Sequence, residues 1–341
     1  ARLPLWRDTG REGEASLDIN RTFKGYIMRA FGPIPSRRLG HSLGINNIPP
    51  KACTYSCVYC QIGKTLKVCS QRQAFYGIDD LIGEVKAKVN QLGKSKTKID
   101  YLSFVPDGEP TLDINLGKYI DLLRPLDIKI AVITNGSLLN RKDVREDLEK
   151  VDLVSLKIDA INRETWLKTN RPHSSLDLKT ILKGMLEFAQ GFTGEIITET
   201  MLIKGMNDSY QEIKNIAKFL PLLKPARSYI SIPTRPTAVK EVLPASSEVL
   251  NMAYQLFKEN LSNIEYLIGP GGNEFGFSGN IEEDLLAITS VHPMREEAVR
   301  KYLKKAGADW SLITNLIRRG SLIELEYQGK NFYLRKLPGN D

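Results

Sequence analysis

Cysteine and histidine are scarce, with four of the first and three of the second in 341 residues. Four cysteines are too few to staple a chain of this length with disulfides. His41, His173 and His292 are too scattered to form a recognisable metal motif. No run approaches the 18 or more apolar residues of a membrane span, so no membrane partner is expected. The first thirty residues lack the basic start and apolar stretch of a secretory leader, and a reducing, cytoplasmic location is the expectation. Internal repeats and low-complexity tracts are also missing. The sharpest absence is local: from Ile19 to Ile78 there are nine basic residues and no acid, where 40 acids in 341 residues lead one to expect about seven.

That gap skews the charge. The net is +8, and residues 1–100 hold 17 Lys or Arg against 8 Asp or Glu, whereas residues 281–341 hold 10 against 9. An acid-free stretch has two explanations. Either an anionic centre nearby disfavours carboxylates, or the stretch docks a polyanion such as RNA.

Three of the four cysteines are gathered in KACTYSCVYCQIG, with spacing C-x3-C-x2-C at Cys53, Cys57 and Cys60. Thiolates are the soft anionic ligands of iron–sulfur clusters. A short loop carrying three of them can wrap one cube-shaped cluster and leave one iron open for chemistry. Zinc competes as an explanation, but structural zinc takes four Cys or His ligands. Only Cys69 remains, either to complete a four-cysteine site or as a partly buried free thiol.

Beyond the loop, strands and helices alternate. Ile78, Leu81, Ile82, Val85, Val89 and Leu92 repeat at helical spacing. Strands follow at 99–105, 128–134, 153–159, 195–203 and 228–232, separated by helices near 114–124, 140–150, 176–190 and 209–220, with a last helix near 246–260. With an initial strand near 40–46 this makes six strand–helix units, hence an α/β protein with a parallel sheet. A partial (β/α)6 barrel and an open Rossmann-like sheet both fit that count. Pro and Gly in GPGGNEFGFSGN, residues 269–280, mark a boundary. Three short helices and a hairpin around Gln328 and Gly329 follow, the order of a winged helix. Expected domains are an N-terminal arm at 1–30, the barrel at 31–272 and a winged-helix-like domain at 273–341.

Parallel α/β folds place their sites at the C-terminal ends of strands. Thr134, Asn135 and Gly136 stand at one such end. Ser155, Lys157 and Asp159 alternate with Leu156 and Ile158, so all three polar groups share one strand face. Lys157 and Asp159 are the candidate catalytic pair and Ser155 a cofactor contact; the alternative is that Lys157 and Asp159 simply pair inside the barrel. Arg235, after the sixth strand, suits a carboxylate or phosphate, as do Arg37 and Arg38, which stand just before the first strand and close in sequence to the cysteine loop.

C-x3-C-x-aromatic-C, with Tyr59 before the last cysteine, resembles the signature of the radical S-adenosylmethionine (SAM) superfamily. The resemblance runs from Phe31 to about Gly272. FGPIPSRRLGHSLGI, DGEPTL, TNGSLL and LKIDA are similar to the branch that holds the wyosine-type tRNA base synthases. It implies the barrel over the open sheet, one [4Fe-4S] cluster on Cys53, Cys57 and Cys60, and SAM on the open iron. It also implies reductive cleavage of SAM to a 5'-deoxyadenosyl radical and a low-potential donor such as flavodoxin or ferredoxin. Asp107, Gly108, Glu109 and Pro110 resemble the Gly-Gly-Glu segment that offers carbonyls to the SAM ammonium, with Asp107 in place of a glycine. Ile203 and Gly205 loosely match the adenine-contacting segment; Tyr59, Asn135, Ser155 and Arg235 complete the expected cofactor contacts. An RNA base, as in tRNA, is the implied substrate, with a protein or peptide as the alternative. The wyosine reaction itself is disfavoured, because it uses a second cluster on three further cysteines. The reading from another class is a nucleic-acid-binding regulator with a saturated metal centre.

Overall fold

The computed structural model describes residues 28–94, 97–268, 275 and 280–336. The expected arm therefore lies outside the described residues except for its last three, as does most of the 269–280 boundary.

An eight-stranded sheet forms the body, in the order β1 (Ala30–Ser36), β2 (Gly40–Ile45), β5 (Tyr101–Phe104), β6 (Lys129–Thr134), β7 (Leu153–Lys157), β8 (Glu195–Met201), β9 (Arg227–Ser231) and β10 (Ile264–Leu267). Every pair is parallel except β1–β2. Two very short strands, β3 (Ala52–Cys53) and β4 (Lys67–Val68), pair with each other in the cysteine region. The six expected strands are the centre of the sheet, which curls into a partial barrel. The two edge strands are additions, and they place Arg37 and Arg38 in a hairpin turn rather than ahead of the first strand.

Helices α1 (Ile78–Lys94), α2 (Leu116–Leu123), α3 (Lys142–Leu148), α4 (Arg163–Thr169), α5 (Leu178–Gly191), α6 (Tyr210–Phe219) and α7 (Ser247–Lys258) connect the strands. In α1 the apolar stripe Leu81, Ile82, Val85 and Leu92 is buried, while Asp79 and Asp80 open the helix and Lys94 closes it, each favourable to the dipole. Asp177, Ser209 and Ser246 cap α5, α6 and α7 by accepting from a backbone N–H three residues on.

Side-chain alternation sorts the two faces of the sheet. Val154, Leu156 and Ile158 join the core beneath the helices. Leu153 instead points inside, where it meets Leu39, Ala131, Ile197 and Tyr229 in an apolar plug. Ser155 and Lys157 stand above that plug on the same face. The barrel is thus sealed at the end where its strands begin and polar toward the end where they finish.

The C-terminal residues build a separate core from α8 (Ile281–Val291), α9 (Glu296–Ala306), α10 (Ser311–Arg318) and a small sheet ordered β11 (Met294–Arg295), β13 (Lys330–Arg335), β12 (Leu322–Tyr327). This unit meets the barrel on both sides of its open seam. At one edge Ile34 of β1 packs on its core, and Lys88 of α1 donates to Asp284 of α8 at 2.8 Å with both side chains buried. At the other, Tyr327 OH donates to the carbonyl of Pro233 at 3.3 Å. Replacing Asp284 by Asn leaves the buried Lys88 ammonium without a charge partner. A loss of about 3 kcal/mol is expected in a denaturant melt, with the C-terminal unit becoming the first target of limited proteolysis.

Among the described residues no helix is long and apolar enough to cross a membrane.

Candidate active site

The cysteine loop is stitched across the C-terminal rim by its backbone. Lys51 N–H donates to the carbonyl of Asp107 at 2.7 Å, and Glu109 N–H to that of Ala52 at 3.1 Å. On the other side Val58 N–H reaches Thr169 O at 2.9 Å, His173 N–H reaches Thr54 O at 2.9 Å, and Ala238 N–H reaches Cys60 O at 2.9 Å. Three rim segments, after β5, around the end of α4 and after β9, therefore hold Cys53, Cys57 and Cys60 in place.

The loop and the DGEP segment touch so closely that a Cβ on Gly108 would stand 1.9 Å from the carbonyl oxygen of Ala52. Only glycine permits that approach. Next to it Glu109 is buried and its carboxylate collects four donors: Thr111 N–H at 3.0 Å, Thr111 Oγ1 at 2.6 Å, Thr134 Oγ1 at 2.6 Å and Asn135 N–H at 2.8 Å. Burial pushes its pKa up, against these bonds. Pro110 then starts a short 3-10 turn that Glu109 caps. Asp107 pairs with Lys51 at 3.1 Å, both buried, and burial raises the carboxyl to about 6 despite the Lys51 charge.

Asn135 links the strand end to the loop: its Nδ2 donates to Cys53 Sγ at 3.7 Å and to Thr54 Oγ1 at 2.8 Å. Asn170 does the same from α4, donating to Cys57 Sγ at 3.5 Å and to Asp159 Oδ2 at 3.0 Å. Tyr59 OH donates to the same Asp159 oxygen, and Met201 N–H reaches Oδ1 at 2.9 Å. Lys157 Nζ lies 3.2 Å from Glu199 Oε1, 3.9 Å from Asp159 Oδ1 and 5.0 Å from the centre of the Tyr59 ring. Burial works against its ammonium, but Asp159 and Glu199 outweigh that and hold its pKa above the usual value. Glu199 is buried, which opposes its charge, yet Lys157 and Arg38 bring it down to about 2. Arg38 also reaches Ser155 Oγ at 3.5 Å. Arg38 thus enters the barrel from the hairpin and meets Glu199 instead of facing the cysteine loop.

Of the residues singled out in the sequence, Cys53, Cys57, Tyr59, Asn135, Lys157 and Asp159 come together around the loop. Ser155 lies deeper, and Ile203 packs with Val58, Tyr59, Met201 and Val242 at the rim. Gly205 sits apart in an exposed turn, its N–H on Asp208 and its carbonyl on Lys168. Sequence reasoning passed over Lys51, Thr54 and Asn170. Lys51 had a usable signal, a lone cation two residues before the first cysteine.

The donor set can be tested against a cluster. All four cysteines are free thiols, and burial raises all three of the loop, Cys57 to about 12. Ligation therefore exchanges three protons for iron. Among the described residues no three Cys, His, Asp or Glu side chains converge as one metal ion requires. A cube that offers a separate iron to each thiolate does not need that convergence. The N–H donors on Cys53 and Cys57 suit anionic sulfur, so the residues fit the group.

The profile of the radical SAM superfamily matches residues 47–220, from the start of this rim to the end of α6. The chain belongs to the radical SAM superfamily. As a radical SAM enzyme it uses a [4Fe-4S] cluster and SAM. Over its length it is similar to UPF0026 protein MJ1312 of Methanocaldococcus jannaschii, at 46% identity over 92% of this chain and 97% of that one. The UPF0026 protein of Helicobacter pylori is 33% identical over 78% and 85% of the two chains. A radical SAM methyltransferase from Sphaerobacter thermophilus has the same fold, with a TM-score of 0.52, 15% identity and 67% of each chain covered.

Proposed function

We propose that the protein cleaves SAM reductively at a cluster held by Cys53, Cys57 and Cys60 and abstracts a hydrogen atom from an RNA base, as in tRNA. The observation that carries this reading is the three-thiol loop stitched to DGEP and Asn135 at the barrel rim. Cys53, Cys57 and Cys60 would hold the cluster, which would supply the electron for reductive cleavage of SAM and so the radical chemistry that removes the substrate hydrogen.

The chain's own residues do the rest. The 107–110 segment, fixed by Glu109 and Pro110, presents acceptors to the SAM ammonium, with the Asp107 side chain held back by Lys51. Asn135 and Ser155 face the cofactor with polar groups, and Ile203 supplies an apolar wall; Gly205, in its exposed turn, leaves room beside it. Lys157 and Asp159, coupled through Tyr59 and Glu199, set the charge around the reacting atoms. An electron donor of the flavodoxin or ferredoxin type is required. The acid-free stretch from Ile19 to Ile78 supports a polyanionic substrate, and the winged-helix-like residues 273–341 help to present it.

Anaerobic reconstitution followed by dithionite and SAM should yield 5'-deoxyadenosine; none from the wild type would overturn the chemistry. Binding to tRNA that barely changed between low and moderate salt would overturn the RNA substrate. Gly108→Ala, which drives a methyl group into Ala52, should weaken SAM about tenfold in equilibrium dialysis. Unaltered affinity would show that the close approach does not shape the cofactor pocket.

A further inference from the structure

Where the C-terminal unit meets the rim, Arg235 and Arg295 stand near Arg38 with no carboxylate of their own among the described residues. Arg235 follows Thr234, whose N–H and hydroxyl lie 3.1 and 3.4 Å from Gln61 Oε1, next to Cys60. Its side chain is half-buried, and its Nη2 stands 3.0 Å from His292 Nε2. A guanidinium only donates, so His292 Nε2 accepts and the imidazole is neutral with its proton on Nδ1. Burial first, and then the Arg235 charge, keep His292 well below its usual pKa. A neutral ring can aim a guanidinium but cannot balance it.

More cations surround this pair. Burial, followed by the charges of Arg295, Arg38 and Arg37, brings Arg235 to about 10, and Glu199 acts the other way. Glu199 is already shared by Arg38 and Lys157. Among the described residues no carboxylate pairs with Arg235 or Arg295; Arg295 lies over the Phe332 ring instead, 5.6 Å from its centre. A single carboxylate occupies one guanidinium fork, whereas a phosphate offers oxygens and charge to several at once.

We propose that Arg235, aimed by His292 and flanked by Arg295 and Arg38, binds a phosphate ester of the substrate at the barrel seam. This moves Arg235 from the cofactor to the substrate, and it rests on the reading that the barrel encloses substrate beside the cluster loop.

The test uses the reconstituted full chain, with inorganic phosphate, unfractionated tRNA and SAM as separate probes. Arg235→Gln should weaken tRNA binding at least tenfold and lower the slope of log affinity against log salt by about one. Arg235→Lys should recover part of that loss, and Lys183→Gln, on the exposed face of α5, should change neither. Inorganic phosphate should compete with tRNA on the wild type and not on Arg235→Gln, while SAM affinity stays the same. Arg295→Gln, read together with a thermal melt, repeats the test from the C-terminal unit and should also weaken phosphate binding. Unchanged phosphate and tRNA binding in Arg235→Gln would overturn the proposal, as would a loss confined to SAM. Phosphate binding without tRNA binding would uphold the subsite, assign it to a free phosphorylated substrate and end the RNA reading alone. Formation of 5'-deoxyadenosine by Arg235→Gln checks the cluster and SAM chemistry independently.

Discussion

Cys57→Ala should abolish 5'-deoxyadenosine formation while leaving the polypeptide folded. Cys57 stands at the centre of the loop, between Val58, which is tied to Thr169, and Ser56, whose N–H reaches Asn170 O at 3.1 Å. Backbone bonds hold the loop whatever side chain occupies position 57, so the variant loses a thiolate and not the rim. Two remaining thiolates cannot retain a cluster that opens one iron to SAM. Iron content and the absorbance of the reconstituted protein should fall to background, with near-wild-type circular dichroism. Wild-type amounts of 5'-deoxyadenosine from this variant would sink the assignment of the cysteines.

Glu109→Leu should have the largest effect on stability. Its carboxylate accepts the N–H of Asn135, which has no other acceptor among the described residues, the N–H of Thr111, and the hydroxyls of both Thr111 and Thr134. The two hydroxyls can rotate toward other partners; the two backbone N–H groups are fixed. Stranding them in the interior should cost about 4 kcal/mol, lowering the melting temperature by about 10 °C. Glu109→Gln separates shape from charge, since it keeps one acceptor and turns one donor against the Thr or Asn135 groups. A melt unaltered by either change would mean that this hub does not hold the rim together.

The central strands were legible because their apolar residues are continuous and their ends are marked: Pro106 and Gly108 after β5, Asn135 and Gly136 after β6. The edges were not. β1 reads AFGPIPS, and a glycine with two prolines signals a loop; it survives as an edge strand because its register shifts between Phe31 and Ile34. β10 is four residues, Ile264–Leu267, with Glu265 exposed and the other three half-exposed, and so lacks the buried alternation that identifies a strand. α4 has seven residues, too few for helical periodicity to show, and its one local signal is Asn162, which caps Glu164 and Thr165.

At the site, spacing revealed the residues that carry chemistry and was silent about those that hold them. Cys53, Cys57 and Cys60 lie within eight residues of chain. Asn170, which bonds Cys57, is 113 positions away from it. Nothing local to NRPH announces that contact, since it exists only after β7 and α4 have packed. DGEP was recognised for its backbone, yet the Glu109 carboxylate acts as the fastener between β5 and β6. Arg38 shows the opposite failure: its neighbourhood in sequence suggested the cysteine loop, and the hairpin turn carries it to Glu199.

The seam between β1 and the segment after β9 bears on how the molecule is made. Lys88 and Asp284 are separated by 196 residues, and Arg235 meets His292 across 57. Contacts of such long range close slowly, because a large loop must be ordered before any of them forms. During synthesis the cysteine loop therefore emerges more than two hundred residues before these contacts can shut its barrel. In that interval the thiols stand open to oxygen as well as to iron delivery, and the order in which those two arrive decides how much of the newly made chain becomes active enzyme.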